Sequence, residues 1–531
     1  MIRVANKRRN AIGESTHSAG ACTTVIPRVY RLLADNVRMN AHDKPVLILG
    51  EESLSLSAYW ALKNQVAAAL QRDGLKPGDV VAICAATSLA YVVTFMACVQ
   101  CGVVVAPLAP SGTAEHLQAM LNNAQAKLIF TDADTVDRLP PPQDGLARIA
   151  LDDSAVGRSW TDWLDTRRTP SVVEPQADWP FNLIYSSGTT GVPKGILQPF
   201  GMRRTQIERA RDNGYGPDTV CLNSTPLYSN TTLVSLIPTL ALGGTVVLMK
   251  KFDVRGYLEL AEQHRVTHTM LVPVQYQRLM DFADFERFDL SHFQAKFCTS
   301  APFRAELKRD ILNRWPGGLT EYYGMTEGGG RTELHCHLHP DKLHTVGRPA
   351  KGHDIQLIDA QGRPVGPGES GEVVGHSGAM MKGYHRLPDK TREVEWFDDA
   401  GKRFIRTGDI GRFDEDGFLI LGDRKKDMII SGGFNVYPVD IESVLRSHPA
   451  VAECAVVGVS SRAWGETPVA YVVRHAKDTQ DLDEASLRAW VNERVGKVQR
   501  LASLVFLDAL PRSEIGKVLK RELRERHPPM P

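Results

Sequence analysis

The sequence from residue 181 to residue 195 reads FNLIYSSGTTGVPKG, a short apolar strand pattern that runs into a loop of glycine, serine and threonine. Glycines let a backbone turn tightly and approach an anion closely. The amides and hydroxyls of such a loop can donate to phosphate oxygens, and Lys194 adds a positive charge at its end. The GxxxxGK[ST] spacing of a Walker loop is missing. Considered alone, the stretch predicts either a phosphate-binding loop or an ordinary polar turn.

On the N-terminal side of this loop, helix and strand patterns alternate. They predict helices at 57–70 and 88–101, the first with Ser57 as its cap, and strands at 79–84 and 103–105. Alternation of this kind is typical of parallel sheets that are flanked by helices. We therefore expect an α/β fold in which a large N-terminal domain of flanked, mostly parallel sheets is followed by a smaller α+β C-terminal domain.

The length of the chain and a charged linker predict where the domains divide. A chain of 531 residues is too long for one hydrophobic core. The hexapeptide GDRKKD at 422–427 separates two apolar runs, as an exposed linker between domains would. We expect residues 1–40 to be a disordered N-terminal extension, residues 41–425 to form the large domain and residues 426–531 to form the small one.

Composition and charge argue against several classes of protein. The formal net charge of +1 gives no whole-chain basic field for nucleic acid or for an anionic membrane. The eight cysteines are scattered, unlike a secreted disulfide framework, so we expect reduced thiols and a cytoplasmic location. The uncharged run from Leu89 to Pro110 is interrupted by Gln100 and Gly102, and we expect a buried helix and strand there rather than a membrane span.

Three further segments carry residue types that suit a nucleotide. The segment EYYGMTE at 321–327 offers Tyr rings that can stack on a purine and a Glu that can hold Mg²⁺. The segment RTGD at 406–409, followed by GDR at 422–424, offers an Asp that can accept hydrogen bonds from ribose hydroxyls. The segment PRSEIGK at 511–517 ends in a Lys after a glycine turn. Each segment alone has a surface loop as its alternative interpretation.

In this order and at these separations, the four segments resemble the adenylate-forming superfamily of acyl-CoA synthetases, amino-acid adenylation domains and firefly-type luciferases. The resemblance runs from about residue 45 to about residue 525. It implies that the large domain binds ATP and an acid, that the small domain is mobile, and that the cofactors are ATP, Mg²⁺ and coenzyme A.

The resemblance also implies roles for individual residues. Catalytic roles fall to Lys194, Thr326, Glu327 and Lys517, with Glu327 as the Mg²⁺ ligand. The ATP site would comprise Ser186, Ser187, Gly188, Thr189, Thr190, Gly191, Ser300, Ala301, Pro302, Tyr322, Tyr323, Gly324, Met325, Asp409 and Arg424. Lys426 would be the hinge of the small domain, and the coenzyme A tunnel would involve Ser431, Gly432, Gly433 and Phe434.

The acyl pocket is expected between these segments. Its candidate residues are Tyr228, Asn230, Thr231, Val274, Thr299, Gly328, Gly329, Gly330 and Arg331. Three consecutive glycines are expected to leave room for a ring or a medium chain. Arg331 is expected at the rim, because the candidate wall offers no second cation to share a buried carboxylate.

The expected function is that of an acid–thiol ligase. A carboxylic acid, with a medium-chain fatty or aryl acid favoured, would be activated as an acyl-adenylate with release of pyrophosphate, and the acyl group would pass to coenzyme A. The alternative is a free-standing adenylation enzyme that loads a carrier-protein phosphopantetheine. The segment YSNTTL at 228–233 contains no acidic residue, which disfavours an amino-acid substrate. The expected partners are the acid and coenzyme A, without nucleic acid or integral membrane contact, and a homodimer is compatible with the sequence.

Two other patterns suggest a metal site and a redox-active cysteine pair, but we do not expect either. The run HCHLH at 335–339 offers metal-ligand types, but no zinc spacing accompanies it. Cys98 and Cys101 have redox spacing, but they lie in an apolar helix pattern, where packing is the better explanation.

Overall fold

The structure is a computed structural model that describes residues 44–141, 146–186, 193–424, 427–431, 434–462, 464–475, 482–513 and 516–528. The predicted N-terminal extension at 1–40 and the predicted domain boundary at 425/426 lie outside the described residues. Both therefore stay predictions.

Strands occur throughout the described part of the chain. They are β1 Pro45–Leu49, β2 Glu52–Ser55, β3 Val80–Ile83, β4 Val104–Pro107, β5 Leu128–Thr131, β6 Ala147–Ala150, β7 Arg158–Ser159, β8 Pro180–Ser186, β9 Lys194–Pro199, β10 Val220–Asn223, β11 Thr245–Leu248, β12 His268–Leu271, β13 Ala295–Cys298, β14 Gly318–Gly324, β15 Arg331–His335, β16 Arg348–Pro349, β17 His353–Ile358, β18 Gly371–Ser377, β19 Gly383–Tyr384, β20 Glu395–Phe397, β21 Arg403–Phe413, β22 Leu419–Arg424, β23 Ile429–Ser431, β24 Phe434–Val436, β25 Val451–Ser461, β26 Gly465–Arg474 and β27 Ser503–Phe506.

Helices alternate with the strands over most of the chain. They are α1 Leu56–Arg72, α2 Leu89–Gln100, α3 Ala114–Ala124, α4 Trp160–Trp163, α5 Phe200–Asp212, α6 Asn230–Ala241, α7 Val254–Gln263, α8 Pro273–Met280, α9 Ala305–Arg314, α10 Pro388–Val394, α11 Pro438–Arg446, α12 Glu484–Asn492 and α13 Lys520–Arg526. The cap of α1 is Ser55, whose side chain accepts from the amide of Ala58, and not Ser57 as the sequence suggested.

Two large sheets form the N-terminal domain. The first has nine strands among the described residues, in the order β16-β15-β14-β13-β12-β10-β11-β1-β2. The second has eight in the same described part, in the order β19-β9-β8-β4-β3-β5-β6-β7. In both sheets the central strands are parallel and the antiparallel pairs lie at the margins. The predicted α/β fold class, with its flanked and mostly parallel sheets, is confirmed.

Two smaller sheets follow. The third sheet has the order β17-β18-β21-β20, with β22 paired to β21. The fourth sheet belongs to the C-terminal domain and has the order β24-β23-β26-β25, with β27 paired in parallel to β26. α11, α12 and α13 accompany the fourth sheet, which makes this domain a mixture of α and β elements as expected.

One core cluster joins the two large sheets. It contains Leu47 and Phe297 of the first sheet together with Val81 and Val105 of the second. The uncharged run after Leu89 contributes to this core as the buried helix α2 and then the buried strand β4, as predicted. Within the described ranges, no helix combines the length and the apolar character that crossing a membrane requires.

Candidate active site

The predicted phosphate loop connects two paired strands. β8 and β9 are antiparallel, and their register places Ser186 opposite Lys194. The two ends of the predicted loop, Ser186 and Lys194, therefore lie side by side in the sheet. The candidates Ser187, Gly188, Thr189, Thr190 and Gly191 lie outside the described residues, as does the side chain of Ser186.

Lys194 and Glu327 both contact Tyr384, a residue that the sequence motifs did not indicate. The Lys194 ammonium lies 5.3 Å from the centre of the Tyr384 ring, and the Tyr384 hydroxyl donates to Glu327 Oε1 over 2.8 Å. β19 holds Tyr384 there because it pairs with β9, where Tyr384 lies opposite Ile196. Burial and the neighbouring carboxylate raise the pKa of Tyr384, so its hydroxyl remains a donor at neutral pH.

A buried amide fixes the backbone beside Glu327. Gln198 Nε2 donates to the carbonyl of Thr326 over 2.7 Å. Arg203 is fully buried and donates to Gln198 Oε1 and, over 2.9 Å, to Asn230 Oδ1. Burial lowers the pKa of Arg203 to about 9, which still leaves the guanidinium charged at neutral pH. The position of the Thr326 carbonyl thus depends on hydrogen bonds among Gln198, Arg203 and Asn230, which the sequence motifs did not reveal.

Alternation along β14 separates the two candidate tyrosines. The Tyr323 hydroxyl donates to Asp409 Oδ2 over 2.8 Å, and Asp409 lies opposite Arg424 in the pairing of β21 with β22. Successive side chains of a strand point to opposite faces, so Tyr322 lies on the other side of the sheet. The structure thus brings Tyr323, Asp409 and the backbone of Arg424 together, while the side chain of Arg424 is outside the described part.

Tyr322 belongs to an aromatic layer. Its ring stacks on Phe297 with centroids 5.6 Å apart and an interplanar angle of 9°. The Arg331 guanidinium carbon lies 4.5 Å from the centre of the Tyr322 ring on the same face. This arrangement separates Tyr322 from Tyr323 and Asp409, so we no longer include it in the candidate adenine wall. Its ring is instead enclosed by the Phe297 ring and the Arg331 guanidinium.

Ser300 connects the ATP candidates to the acyl candidates. Its hydroxyl lies 2.8 Å from the Thr231 hydroxyl, at the start of α6. Ser300 has a φ of 82°, a left-handed conformation that is uncommon for a residue with a side chain. The chain therefore turns sharply after Thr299, and Ala301 and Pro302 continue that turn toward α9. Asn230 begins α6, so these residues share one end of the helix with Tyr228, which is half-buried.

The three consecutive glycines do not leave the room that we expected. A Cβ at Gly328 would lie 2.5 Å from the Ala379 carbonyl oxygen. A Cβ at Gly329 or Gly330 would lie 2.6 Å from Ile405 or 2.4 Å from Ile355. Gly328 and Gly330 also have positive φ values of 75° and 90°. These glycines allow close packing of backbone on protein, and their Cβ positions do not open into space for a ring.

The C-terminal loop that carries Lys517 contacts the large domain. Gly516 has a φ of 75°, and a Cβ built on it would lie 2.3 Å from Val274 Cγ1. Two backbone hydrogen bonds close the loop. The Ser513 amide donates to the Lys517 carbonyl over 2.8 Å, and the Gly516 amide donates to the Ser513 carbonyl over 2.8 Å. Val274, which was predicted as part of the acyl pocket, thus contacts Gly516 in the loop that carries Lys517.

The other candidates of the C-terminal domain are only partly described. Ser431 is buried in β23, where it lies opposite Phe434 and Gly465. Lys426, Gly432 and Gly433 lie outside the described residues, as does the side chain of Phe434.

The histidine-rich run takes part in ordinary packing. Cys336 is buried, and the rings of His335 and His337 bond or approach Thr320 and Leu319 of β14. In the described part of the chain, no group of three or more His, Cys, Asp or Glu residues is arranged to hold a metal ion. Cys98 and Cys101 are buried, and burial raises the pKa of the Cys101 thiol to about 12.

Comparisons with known proteins concern the family and the fold of the chain. A family model described as "AMP-binding enzyme" matches residues 33–385, and one described as "AMP-binding enzyme C-terminal domain" matches residues 440–517. The chain is similar to a feruloyl-CoA synthase of Amycolatopsis sp, with 34% identity over 87% of this chain and 91% of that protein. It is similar to the fatty acid–[acyl-carrier-protein] ligase ScoC of Streptomyces coeruleorubidus, with 30% identity over 91% of this chain and 93% of the relative. The crystal structure of ATP-bound MatB from Rhodopseudomonas palustris superposes with a TM-score of 0.81, at 29% identity, over 93% of this chain and 98% of MatB.

Proposed function

The chain belongs to the AMP-binding enzyme family and is an AMP-forming acyl-CoA synthetase that uses ATP, Mg²⁺ and coenzyme A, and we propose that its acid is an aryl or a medium-chain carboxylic acid. The enzyme class follows from the family. The class of acid and the roles of individual residues are the proposal.

One observation carries the proposed site, which is the contact of Gly516 with Val274. β12, β13 and β14 are parallel, so their carboxyl ends lie along one edge of the first sheet. Val274 follows β12 and Ser300 follows β13, while Thr326 and Glu327 follow β14. Ligands of α/β sheets bind at such an edge. The contact at Gly516 supports the view that Lys517 reaches this edge from the C-terminal domain.

The chemistry of adenylation accounts for the residue types at this edge. A carboxylate oxygen attacks the α-phosphorus of ATP, the bond to the β-phosphate breaks, and pyrophosphate leaves. Two anions must approach each other, so positive charge at the reacting centre lowers the barrier. Lys517 would supply such a charge at the carboxylate and the α-phosphate, and Lys194 would supply one at the outer phosphates.

The residues present also fit a magnesium ion. Carboxylate oxygens are preferred ligands of Mg²⁺. The Glu327 side chain accepts a hydrogen bond from the Tyr384 hydroxyl, and its backbone carbonyl accepts one from the Met381 amide. Glu327 would hold the ion, which neutralises phosphate charge when it is bound. Asp409, oriented by Tyr323, would accept the ribose hydroxyls.

We propose that the C-terminal domain turns about Lys426 before the second half-reaction. In that step the thiol of coenzyme A attacks the acyl carbon and AMP leaves. Lys426→Pro fixes φ at the proposed hinge. We expect acid-dependent pyrophosphate release to survive in this variant while thioester formation falls sharply, as measured in separate half-reaction assays. Unchanged overall turnover would remove Lys426 as the hinge.

An aryl acid suits the lining that is described. The Tyr322 ring extends an aromatic layer in which Phe297 also stacks on Tyr215 at 5.8 Å. The feruloyl-CoA synthase among the relatives supports the same choice. A panel of aryl, short-chain and medium-chain acids should be scored by pyrophosphate release with and without coenzyme A. Activity confined to acids outside the aryl and medium-chain classes would refute the proposed substrate class.

A carrier-protein ligase remains the second candidate, and the similarity to ScoC favours it. The same panel distinguishes the two when coenzyme A is replaced by a carrier protein bearing phosphopantetheine. We expect faster acyl transfer to coenzyme A. Transfer to the carrier protein alone would favour the second candidate.

A further inference from the structure

A group of charged side chains lies beside the Tyr322 ring. We call it the distal cluster, and it consists of Arg209, Arg331, Glu333 and His353. Arg331 and Glu333 lie opposite Gly324 and Tyr322 in the pairing of β15 with β14, so both share the Tyr322 face of the sheet. The proposed function assigns the Tyr322 face to the acyl pocket, so these side chains would line it as well.

Two guanidinium groups converge in this cluster. Arg331 Nη2 lies 3.2 Å from Glu333 Oε2, and the Arg331 guanidinium covers the Tyr322 ring. Arg209, on α5, lies close enough for its charge to interact with both Arg331 and Glu333, and its Nη2 donates to the Lys351 carbonyl. Arg209 is thus the second cation that the sequence did not reveal, and Arg331 is not isolated as the predicted rim position required.

Positive charge exceeds negative charge here. Glu333 is the carboxylate that pairs with Arg331, while Glu208, on the exposed side of α5, pairs with Arg204 at 3.6 Å and also acts on the charge of Arg209. Burial and the nearby Arg209 and Arg331 lower the pKa of His353 to about 3, so His353 is neutral at pH 7. Glu333 is therefore the half-buried carboxylate that Arg209 and Arg331 share, since Glu208 is exposed and also pairs with Arg204, and the two guanidinium charges repel each other.

Several buried polar atoms in the cluster are unsatisfied. Arg331 Nε and both ring nitrogens of His353 have no hydrogen-bond partner among the described residues. Buried polar atoms in folded proteins are normally paired, and exceptions call for an explanation such as a ligand. Arg331 on β15 and His353 on β17 thus both present ring or guanidinium nitrogens within the distal cluster that are unpaired in the described part of the chain.

We propose that the distal cluster binds a second carboxylate at the far end of the acid, which makes the substrate a dicarboxylic acid. This inference rests on the proposed function, because it assigns the acyl half of the same site. An arginine presents several donors in a planar fork that matches a carboxylate, and two arginines with a histidine can satisfy all four of its lone-pair positions. Arg331, placed over Tyr322, would then determine specificity rather than form an inert rim.

The test compares acids that differ only at the far end. Cinnamic acid, 4-carboxycinnamic acid and 4-hydroxycinnamic acid form one set, and octanoic and octanedioic acids form another. The measurement is kcat/KM for pyrophosphate release and, separately, for thioester formation with the full chain. We expect the wild type to prefer the dicarboxylic member of a set by at least about tenfold, since hydrogen bonds to charged groups discriminate on that order.

Substitution of the two arginines should abolish this preference. Arg331→Met keeps an unbranched stem against Tyr322, and Arg209→Met removes the second cation from another element. Each should lower the dicarboxylate-to-monocarboxylate ratio about 10- to 100-fold. Arg211→Met is the matched control, because Arg211 is exposed on the same helix, and it should leave the ratio unchanged. Melting temperatures establish that each variant is folded, and either arginine variant alone suffices for the test.

Three results would overturn the inference. They are equal turnover of both members of a set, preference for the 4-hydroxy acid over the 4-carboxy acid, and an unchanged ratio in folded Arg331→Met and Arg209→Met. Failure of the proposed function looks different, because then no acid of either set would release pyrophosphate.

Discussion

The two faces of β14 carry sites of different construction. On one face, Tyr323 bonds to Asp409, and the strand continues directly into Thr326 and Glu327. On the other face, Tyr322 stacks on Phe297 beneath Arg331. The first face consists of short contiguous motifs, whereas the second is assembled from single residues on several elements.

This difference has a functional meaning. The proposed nucleotide face must serve the same cosubstrate in every member of the family, so its residues occur as motifs. The proposed acyl face must suit one acid, and it can change by single substitutions on α5, β14, β15 or β17 without altering the fold. If the two faces work independently, a substitution on one face should leave the kinetic constants that depend on the other face unchanged.

The first prediction removes the Lys517 charge, which is proposed to act at the point where the carboxylate meets the α-phosphate. Lys517→Ala should lower acid- and ATP-dependent pyrophosphate release by about 100- to 1,000-fold, as expected when one transition-state charge partner is lost. Thioester formation from a preformed acyl-adenylate and coenzyme A should be largely retained. Lys497→Ala, an exposed position in the same domain, is the control and should behave as the wild type. Equal loss of both half-reactions would contradict the role of Lys517.

The second prediction keeps the Lys517 charge but disturbs the loop that positions it. Gly516→Ala strains a left-handed backbone and places a Cβ 2.3 Å from Val274 Cγ1. The strain alone costs about 1–2 kcal/mol, so we expect pyrophosphate release to fall by about tenfold or more. Thioester formation from the preformed adenylate should change less.

A double variant tests the contact itself. Val274→Ala removes Cγ1 and should restore part of the activity lost in Gly516→Ala, while the strain persists. Val274→Ala alone measures the contribution of Val274 to the acyl pocket through the KM for the acid. If the double variant is no better than Gly516→Ala, the contact does not determine how the loop of Lys517 docks.

Sequence motifs indicated most residues of the proposed nucleotide face but few of the proposed acyl face, for a physical reason. Alternating patterns identified the sheets, and the motif around Glu327 lies within a few residues of the strand that positions it. The parts that were missed depend on tertiary contacts between distant segments. Tyr384 reaches Glu327 through the pairing of β19 with β9, and Arg203 reaches Thr326 through Gln198. No local pattern encodes such contacts.

The acyl face shows the same limit more clearly. Arg209 and His353 are separated from Arg331 in the chain, and only the fold brings them together. The three glycines at 328–330 suggested open space, but steric crowding from Ile355 and Ile405 shows that they serve close packing. A glycine run indicates that a side chain is excluded, and the sequence does not reveal whether protein or ligand excludes it.

The third prediction uses the adjacent tyrosines as a matched pair. Tyr323→Phe removes the donor to Asp409, and a hydrogen bond to a charged group contributes about 1.5 kcal/mol or more. We expect the KM for ATP to rise about tenfold, with the KM for the acid little changed. Tyr322→Phe should instead raise the KM for the acid and leave the KM for ATP little changed, because Tyr322 lies on the opposite face of β14, where its hydroxyl interacts with Asn213. If both variants change the same KM, the two faces are not independent.

The fourth prediction concerns pH and expects almost no effect. An imidazole with an ordinary pKa near 6.5 would become charged between pH 8 and pH 6, and the preference for a second carboxylate would then rise as the pH falls. Burial, together with the charges of Arg209, Arg331 and His376, lowers the pKa of His353 to about 3, so it stays neutral over that range. Arg209 and Arg331 stay charged throughout.

We therefore expect the dicarboxylate-to-monocarboxylate ratio of kcat/KM to vary by less than about twofold between pH 6 and pH 8.5, a change that corresponds to well under one pKa unit of coupling. His353→Gln provides the control, because it retains a neutral donor and acceptor while it removes the titrating group. A ratio that rises severalfold toward pH 6 in the wild type, but not in His353→Gln, would show that His353 titrates within the distal cluster. The acyl face would then be tuned by protonation, whereas the guanidinium groups alone predict a preference that is independent of pH.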